Sequence, residues 1–202
     1  RGGGDPANVV ISLCEWDRTL EGQSLADILA GRNVASDFVT AADLVMELIQ
    51  RGGARAIYHA MDESDVERIM QHPATMIGSD GGVSVFGAGV PHPREYGTFP
   101  RVLGRYVRER GVLTLEEAVR KMSGATAQRL GLQQRGLLQE EFYADITVFD
   151  PELVGDRATF ESPHQYAVGV QYVIVNGHLV IDQGEHTGAR PGRVLYGPGR
   201  EH

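Results

Sequence analysis

Apolar residues recur at helical spacing behind four stretches that share one grammar, a Ser or Thr followed three positions later by an acid. Ser24…Asp27 leads into Leu25, Ile28 and Leu29, and Thr40…Asp43 into Leu44, Val45, Leu48 and Ile49. Ser64…Glu67 leads into Val66, Ile69 and Met70, and Thr114…Glu117 into Leu115, Ala118, Val119 and Met122. A hydroxyl or carboxylate at a helix start satisfies amides that have no partner within the helix, so each stretch predicts a helix. Short apolar runs bounded by Gly or polar residues predict strands over 9–12, 55–58 and 75–78.

After about residue 130 the pattern changes. Residues 145–149 and 172–175 are β-branched and aromatic, with no helix caps between them. Asn176-Gly177 sits between residues 173–175 and 178–181, the strongest short-range signal for a hairpin. A boundary is therefore placed near residues 131–136, between an α/β piece and a small β piece. Upstream of it, the helix from Ser64, the run 75–78, a long loop and the helix from Leu115 read as α–β–loop–α. One turn of a barrel would look like this, and so would one unit of a doubly wound sheet.

Composition narrows the function more than the fold. The chain has 202 residues, 42% of them hydrophobic, enough for a sizeable core. A net charge of -8 argues against a nucleic-acid partner, which calls for a basic patch or stripe. No apolar run reaches the roughly 18 residues of a membrane span. The single cysteine, Cys14, excludes an internal disulfide framework and fits a cytoplasmic protein. The opening Arg1-Gly2-Gly3-Gly4-Asp5 has neither an initiator methionine nor the features of a signal peptide, which suggests a processed or truncated chain.

The chemistry concentrates at Asp80. The run Thr75-Met76-Ile77-Gly78-Ser79 ends in this acid, Gly81-Gly82 follows, and then comes a loop rich in Gly, Pro, His and Arg. A barrel strand delivers a carboxylate to an open active-site mouth in this way. In metal-assisted amide hydrolysis such a carboxylate takes a proton from metal-bound water and hands it to the leaving nitrogen. Taken alone, Ser79-Asp80-Gly81-Gly82 is more often a turn in which the Asp side chain bonds its own backbone.

The surrounding words decide between the two. The stretch from Ala56-Ile57-Tyr58-His59-Ala60-Met61 through His72-Pro73-Ala74-Thr75 to Gly78-Ser79-Asp80-Gly81 resembles the N-acyl-D-amino-acid deacylases (D-aminoacylases), a branch of the metal-dependent amidohydrolases. So do His92-Pro93-Arg94, Gly97-Thr98-Phe99-Pro100-Arg101, Lys121-Met122-Ser123-Gly124 and Tyr143-Ala144-Asp145-Ile146. The resemblance runs from about residue 8 to the tail. It implies α/β architecture: the C-terminal part of a (β/α)8 barrel, then part of a small β-sandwich domain. Residues 1–60 would be an insertion arm closing over the substrate, 61–130 the last part of the barrel, and 131–202 the segment completing the β domain.

The same resemblance implies a zinc-dependent hydrolase of N-acyl-D-amino acids, with this small molecule as its partner. Asp80 would be the general base and acid and is the one residue here that could also touch metal. Arg94 would hold the substrate's α-carboxylate, a task suited to a planar guanidinium fork. Met61 would line the side-chain pocket. Read without the family, Arg94 is an exposed loop arginine and Met61 a core residue at a helix start.

The metal ligands themselves are not in the sequence. The seven histidines form no His-x-His pair and no His-Glu-x-x-His helix. Cys14 lies in a segment similar to the family's mobile arm and reads as a small buried or half-buried hydrophobe. The family's zinc ligands would lie on earlier barrel strands, so the isolated chain should be catalytically silent. It would fold with the absent N-terminal portion, as a rearranged remnant, or by association with another copy. Two local departures stand out: the loop between Asp80 and Arg94 is longer than in the family, with 83–90 apolar and Gly-rich where the family is more polar, which bears on substrate choice, and Glu141 occupies a position where a turn glycine is common. A cyclic-amide hydrolase of the dihydropyrimidinase or hydantoinase kind is the rival enzyme, and a non-catalytic structural remnant the rival of another class.

Overall fold

In the computed structural model, which describes residues 4–196, the signal at Ser24 opens α1 (Leu25–Gly31) as expected. The Ser24 Oγ accepts from the Asp27 amide at 3.1 Å, and the Asp27 carboxylate accepts the Ser24 amide at 2.9 Å. The next helix begins earlier than its expected Thr40 cap. Asp37 caps α2 (Phe38–Gln50), accepting the Val39 and Thr40 amides at 2.9 Å, while the Thr40 hydroxyl accepts the Asp37 amide at 3.1 Å. An Asp caps as well as a Thr, so the reciprocal pair closes three residues upstream. α3 (Glu63–Gln71) takes in Ser64 in its first turn.

The chain divides into two units. The first comprises residues 4–63, 81–96 and 158–165 of the described chain. Its two-stranded antiparallel sheet pairs β1 (Val9–Leu13) with β2 (Arg55–Tyr58), in the register Val9 opposite Tyr58 and Ile11 opposite Ala56. Ile11 and Cys14 meet the apolar stripes of α1 and α2 in a buried core that includes Ile28, Leu29, Leu44 and Leu48. Cys14 is fully buried there, as its sequence context suggested. Each large side chain so buried contributes about 1.5–3 kcal/mol.

The second unit comprises residues 64–80, 97–157 and 166–196 of the described chain. Its sheet runs β3-β4-β5-β6, all antiparallel: β3 (Ile146–Phe149), β4 (Val170–Val175), β5 (His178–Asp182) and β6 (Glu185–His186). The expected hairpin joins β4 and β5. Asn176 and Gly177 take the positive φ values, 48° and 78°, that a tight two-residue turn requires. Met70, Leu103, Tyr106, Leu113, Ala118 and Val154 form the core of this unit.

Where the sequence pointed to a long loop, the chain forms α4 (Arg94–Arg101), and its helix continues as wider π-type turns over Val102–Glu109. Pro100 lies inside α4 and has no amide to give the ladder. Beyond it the pairing shifts, as in the bond from the Arg110 amide back five residues to the Arg105 carbonyl at 2.9 Å. α5 (Leu115–Met122) starts at Thr114, whose hydroxyl accepts the Glu117 amide at 3.2 Å. A further helix, α6 (Gly124–Leu130), follows and ends at Gly131 with φ 66°. Among the described residues no helix is long and apolar enough to cross a membrane.

Candidate active site

Residues 75–78 form neither helix nor strand and belong to no sheet among the described residues, contrary to the expected strand. A strand needs a neighbour for its amides and carbonyls. Here the end of α5 takes that part. The Lys121 ammonium donates to the His72 carbonyl at 2.6 Å and to the Thr75 carbonyl at 2.9 Å. The Arg120 guanidinium donates to the Pro73 carbonyl at 3.3 Å, and the Ile77 amide donates to the Lys121 carbonyl at 3.2 Å. Lys121 is fully buried, with the Glu117 carboxylate 3.6 Å from its nitrogen.

Asp80 closes this clamped segment. Its side chain is exposed and its backbone is left-handed, with φ 46°. That region costs an L residue about 1–2 kcal/mol, least for Asp and Asn. Such strain is held only where the surroundings enforce it, and the ties from α5 supply an anchor.

Arg94 opens α4, its side chain exposed and its amide donating to His92 Nδ1 at 3.0 Å. Met61 lies ahead of α3 and is 78% exposed, so it is not the core residue its local setting suggested. Around these positions the first unit gathers rings. His59 and His92 both meet Phe160 edge-on, with centroids 4.5 and 5.0 Å away. Glu161, next to Phe160, has its carboxyl held below the usual range by its own amide and the Thr159 hydroxyl, with a smaller contribution from the His59 charge.

The loop after Asp80 is tied down by His164. Its Nδ1 accepts from the Gly87 amide at 3.2 Å and lies 2.9 Å from the Tyr96 hydroxyl, while Nε2 lies 3.0 Å from the Gly89 carbonyl. The Val90 amide donates to the Ser12 carbonyl at 2.8 Å. Glu95, beside Arg94, accepts the Ser84 hydroxyl and lies against Gly81 and Gly82. Sequence reasoning singled out neither Lys121 nor His164 as a site residue. The one available signal was Lys121's position three residues after Ala118, on the apolar face of its helix, where a lysine needs buried partners.

The second unit also has an apolar cleft of about 610 Å³ lined by residues such as Phe99, Leu103, Met122, Phe149 and Val170. The one ionisable side chain in its lining, Asp145, is paired with Arg135 and accepts the Asn176 amide at 2.8 Å. It offers no acid or base for hydrolysis. Among the described residues no group of three or more His, Cys, Asp or Glu side chains could hold a metal ion.

This clamped carboxylate segment belongs to a known family. The amidohydrolase family matches residues 9–181, and the chain is a member of it. Among characterised relatives, D-aminoacylase of Alcaligenes xylosoxydans xylosoxydans is 46% identical over 92% of this chain and 36% of its own length. The N-acyl-D-glutamate and N-acyl-D-aspartate deacylases of the same organism are 47% and 51% identical over 86% and 70% of this chain, and 33% and 28% of their own lengths. Among solved structures, D-aminoacylase with a binuclear metal centre superposes with a TM-score of 0.80 at 45% identity, covering 90% of this chain and 36% of that one. The N-acyl-D-glutamate deacylase of Bordetella bronchiseptica, complexed with zinc and a phosphonate mimic of the tetrahedral intermediate, gives 0.81 at 43% identity, covering 96% and 38%. The chain thus spans 28–38% of the length of these relatives.

Proposed function

We propose that the chain is the C-terminal portion of an N-acyl-D-amino-acid deacylase, a hydrolase that splits a linear amide into a carboxylate and a D-amino acid. On this reading residues 61–130 complete a (β/α)8 barrel, 1–60 form an arm over its mouth, and 131–202 belong to a small β-sandwich domain. What carries the reading is Asp80: an exposed carboxylate in left-handed backbone, at the end of a segment whose carbonyls are gripped by a buried lysine.

The chemistry assigned to this chain's residues is proton transfer and substrate placement. As water oxygen bonds to the acyl carbon, the Asp80 carboxylate takes its proton and delivers it to the amide nitrogen as the C–N bond breaks. The products are the acyl carboxylate and the free amine of the D-amino acid. Arg94 holds the α-carboxylate by paired guanidinium bonds, and Met61 lines the side-chain pocket. Zinc belongs to the complete enzyme. Among the described residues no group of three or more ligating side chains fits a zinc site, so the ligands other than Asp80 are assigned to the portion its relatives possess in addition, and no step here is assigned to the metal.

The test is hydrolysis of N-acetyl-D-methionine by the isolated 202-residue chain and by the chain joined to the portion its relatives possess in addition. The joined protein should turn over and the isolated chain should not. Turnover by the isolated chain, or none by a folded, zinc-loaded joined protein, overturns the reading.

A further inference from the structure

A lysine is rarely enclosed in a folded chain, because its ammonium is costly to take out of water unless it is paired. Lys121, in the last turn of α5, is at 0% exposure. Its ammonium donates to the His72 and Thr75 carbonyls, and its own carbonyl accepts the Ile77 amide, so one residue holds the chain at 72, 75 and 77. The Thr126 hydroxyl donates to the same Lys121 carbonyl at 3.0 Å, which steadies that acceptor. Glu117, one turn back, accepts from Arg120 Nε and Nη2 at 2.7 and 2.8 Å, and Arg120 in turn ties Pro73.

Ties that served stability alone could fall anywhere along the segment. These end just ahead of the acid, with only Gly78 and Ser79 between Ile77 and Asp80. Gly78 brings no side chain to pack, and nothing lies within 4 Å of where its Cβ would be. Within its unit, the placement of Asp80 in its left-handed backbone therefore leans on the bonds made by α5. Placement is what a proton shuttle needs. Its oxygens must come within about 2.6–3.2 Å of the water and then of the leaving nitrogen. A displacement of about 1 Å, caused by a group that touches neither, can cost about 100-fold in rate.

We propose that Lys121 is a positioning residue for the hydrolysis: by holding residues 72–77 it sets the Asp80 carboxylate where it takes and delivers the proton, and its effect on rate runs through Asp80. This rests on the deacylase reading above. The experiment is a double-mutant cycle in the complete, zinc-loaded deacylase carrying this sequence, with N-acetyl-D-leucine as substrate. Lys121→Met should lower kcat about 100-fold and leave KM within about threefold, since no group that binds substrate is removed. Made in the Asp80→Asn enzyme, the same substitution should lower kcat by less than about threefold further, because the carboxylate it positions is already gone. A role in general stability would not depend on Asp80 in this way. A Lys121→Met enzyme with kcat within about threefold of the parent's overturns the proposal and leaves the deacylase reading standing. So does an equal fall in both backgrounds, or a loss carried by KM. If Lys121→Met does not fold, Glu117→Gln, at a half-exposed side chain, takes its place. It should lower kcat about tenfold in the parent and leave it unchanged in the Asp80→Asn enzyme, and no fall in the parent overturns the proposal. A folded, zinc-loaded parent that hydrolyses no N-acyl-D-amino acid removes the deacylase reading, and this proposal with it.

Discussion

Replacing Lys121 by Met isolates the clamp on the segment that ends in Asp80. Methionine keeps an unbranched stem of similar length in the same buried slot and removes only the ammonium group. Lost with it are the bonds to the His72 and Thr75 carbonyls, 2.6 and 2.9 Å long, and the 3.6 Å pairing with Glu117. Hydrogen bonds from a charged donor are worth about 1.5–3 kcal/mol each, so the two together come to about 3–6 kcal/mol. Against this, the variant no longer buries a charge, a relief of several kcal/mol in a fully enclosed site. His72 lies at the surface, where water can replace the lost donor, while Thr75 is half-buried. The balance is a destabilisation of about 2 kcal/mol. Urea unfolding of the two proteins side by side measures it, and hydrogen exchange at the Ile77 amide reports whether the segment loosens. A variant within about 0.5 kcal/mol of the parent, with Ile77 equally protected, would refute the clamp.

Glu117 gives a pH signature. The Arg120 guanidinium bonded to it, together with the charges of Arg120 and Lys121, lowers its pKa from 4.5 to about 2. A carboxyl with a depressed folded pKa contributes stability that is complete above its unfolded value and lost as pH falls toward its folded value. Glu117→Gln should therefore weaken the parent's loss of stability between pH 4.5 and about 2; superimposable pH–stability curves for the two proteins would contradict this. Gly169→Ala should destabilise severely, by roughly 3 kcal/mol or more. Its φ is 80° and the new Cβ would lie 2.4 Å from the Val154 backbone. A thermal midpoint unchanged from the parent's would show that this close approach is not real.

Elements whose signal is local were legible in the sequence. Ser24 with Asp27, Thr114 with Glu117 and the Asn176-Gly177 turn each satisfy or bend the backbone within four residues, so the residue types alone disclose them. The start of α2 was misplaced because Asp37 and Thr40 both cap, and only the folded chain shows which hydroxyl or carboxylate faces the free amides. The helix from Arg94 to Glu109 was hidden by Gly97 and Pro100, residues that ordinarily break helices. Gly97 is there for contact, since a Cβ would come within 2.5 Å of the Asp156 Cβ. Asp80 and Arg94 were singled out through the words around them. The groups that hold their surroundings were not: Lys121 reaches back 46 and 49 residues, and His164 reaches 75. No periodicity or motif encodes contacts of that span.

The central claim is that Asp80 moves the proton in amide hydrolysis, and Asp80→Asn in the complete, zinc-loaded deacylase addresses it most directly. Asparagine keeps the shape and tolerates the left-handed backbone but cannot accept the proton. With N-acetyl-D-leucine as substrate, kcat should fall on the order of 1,000-fold while the protein remains folded. A kcat within about threefold of the parent's would remove Asp80 from the chemistry and reduce its strained position to a feature of the turn.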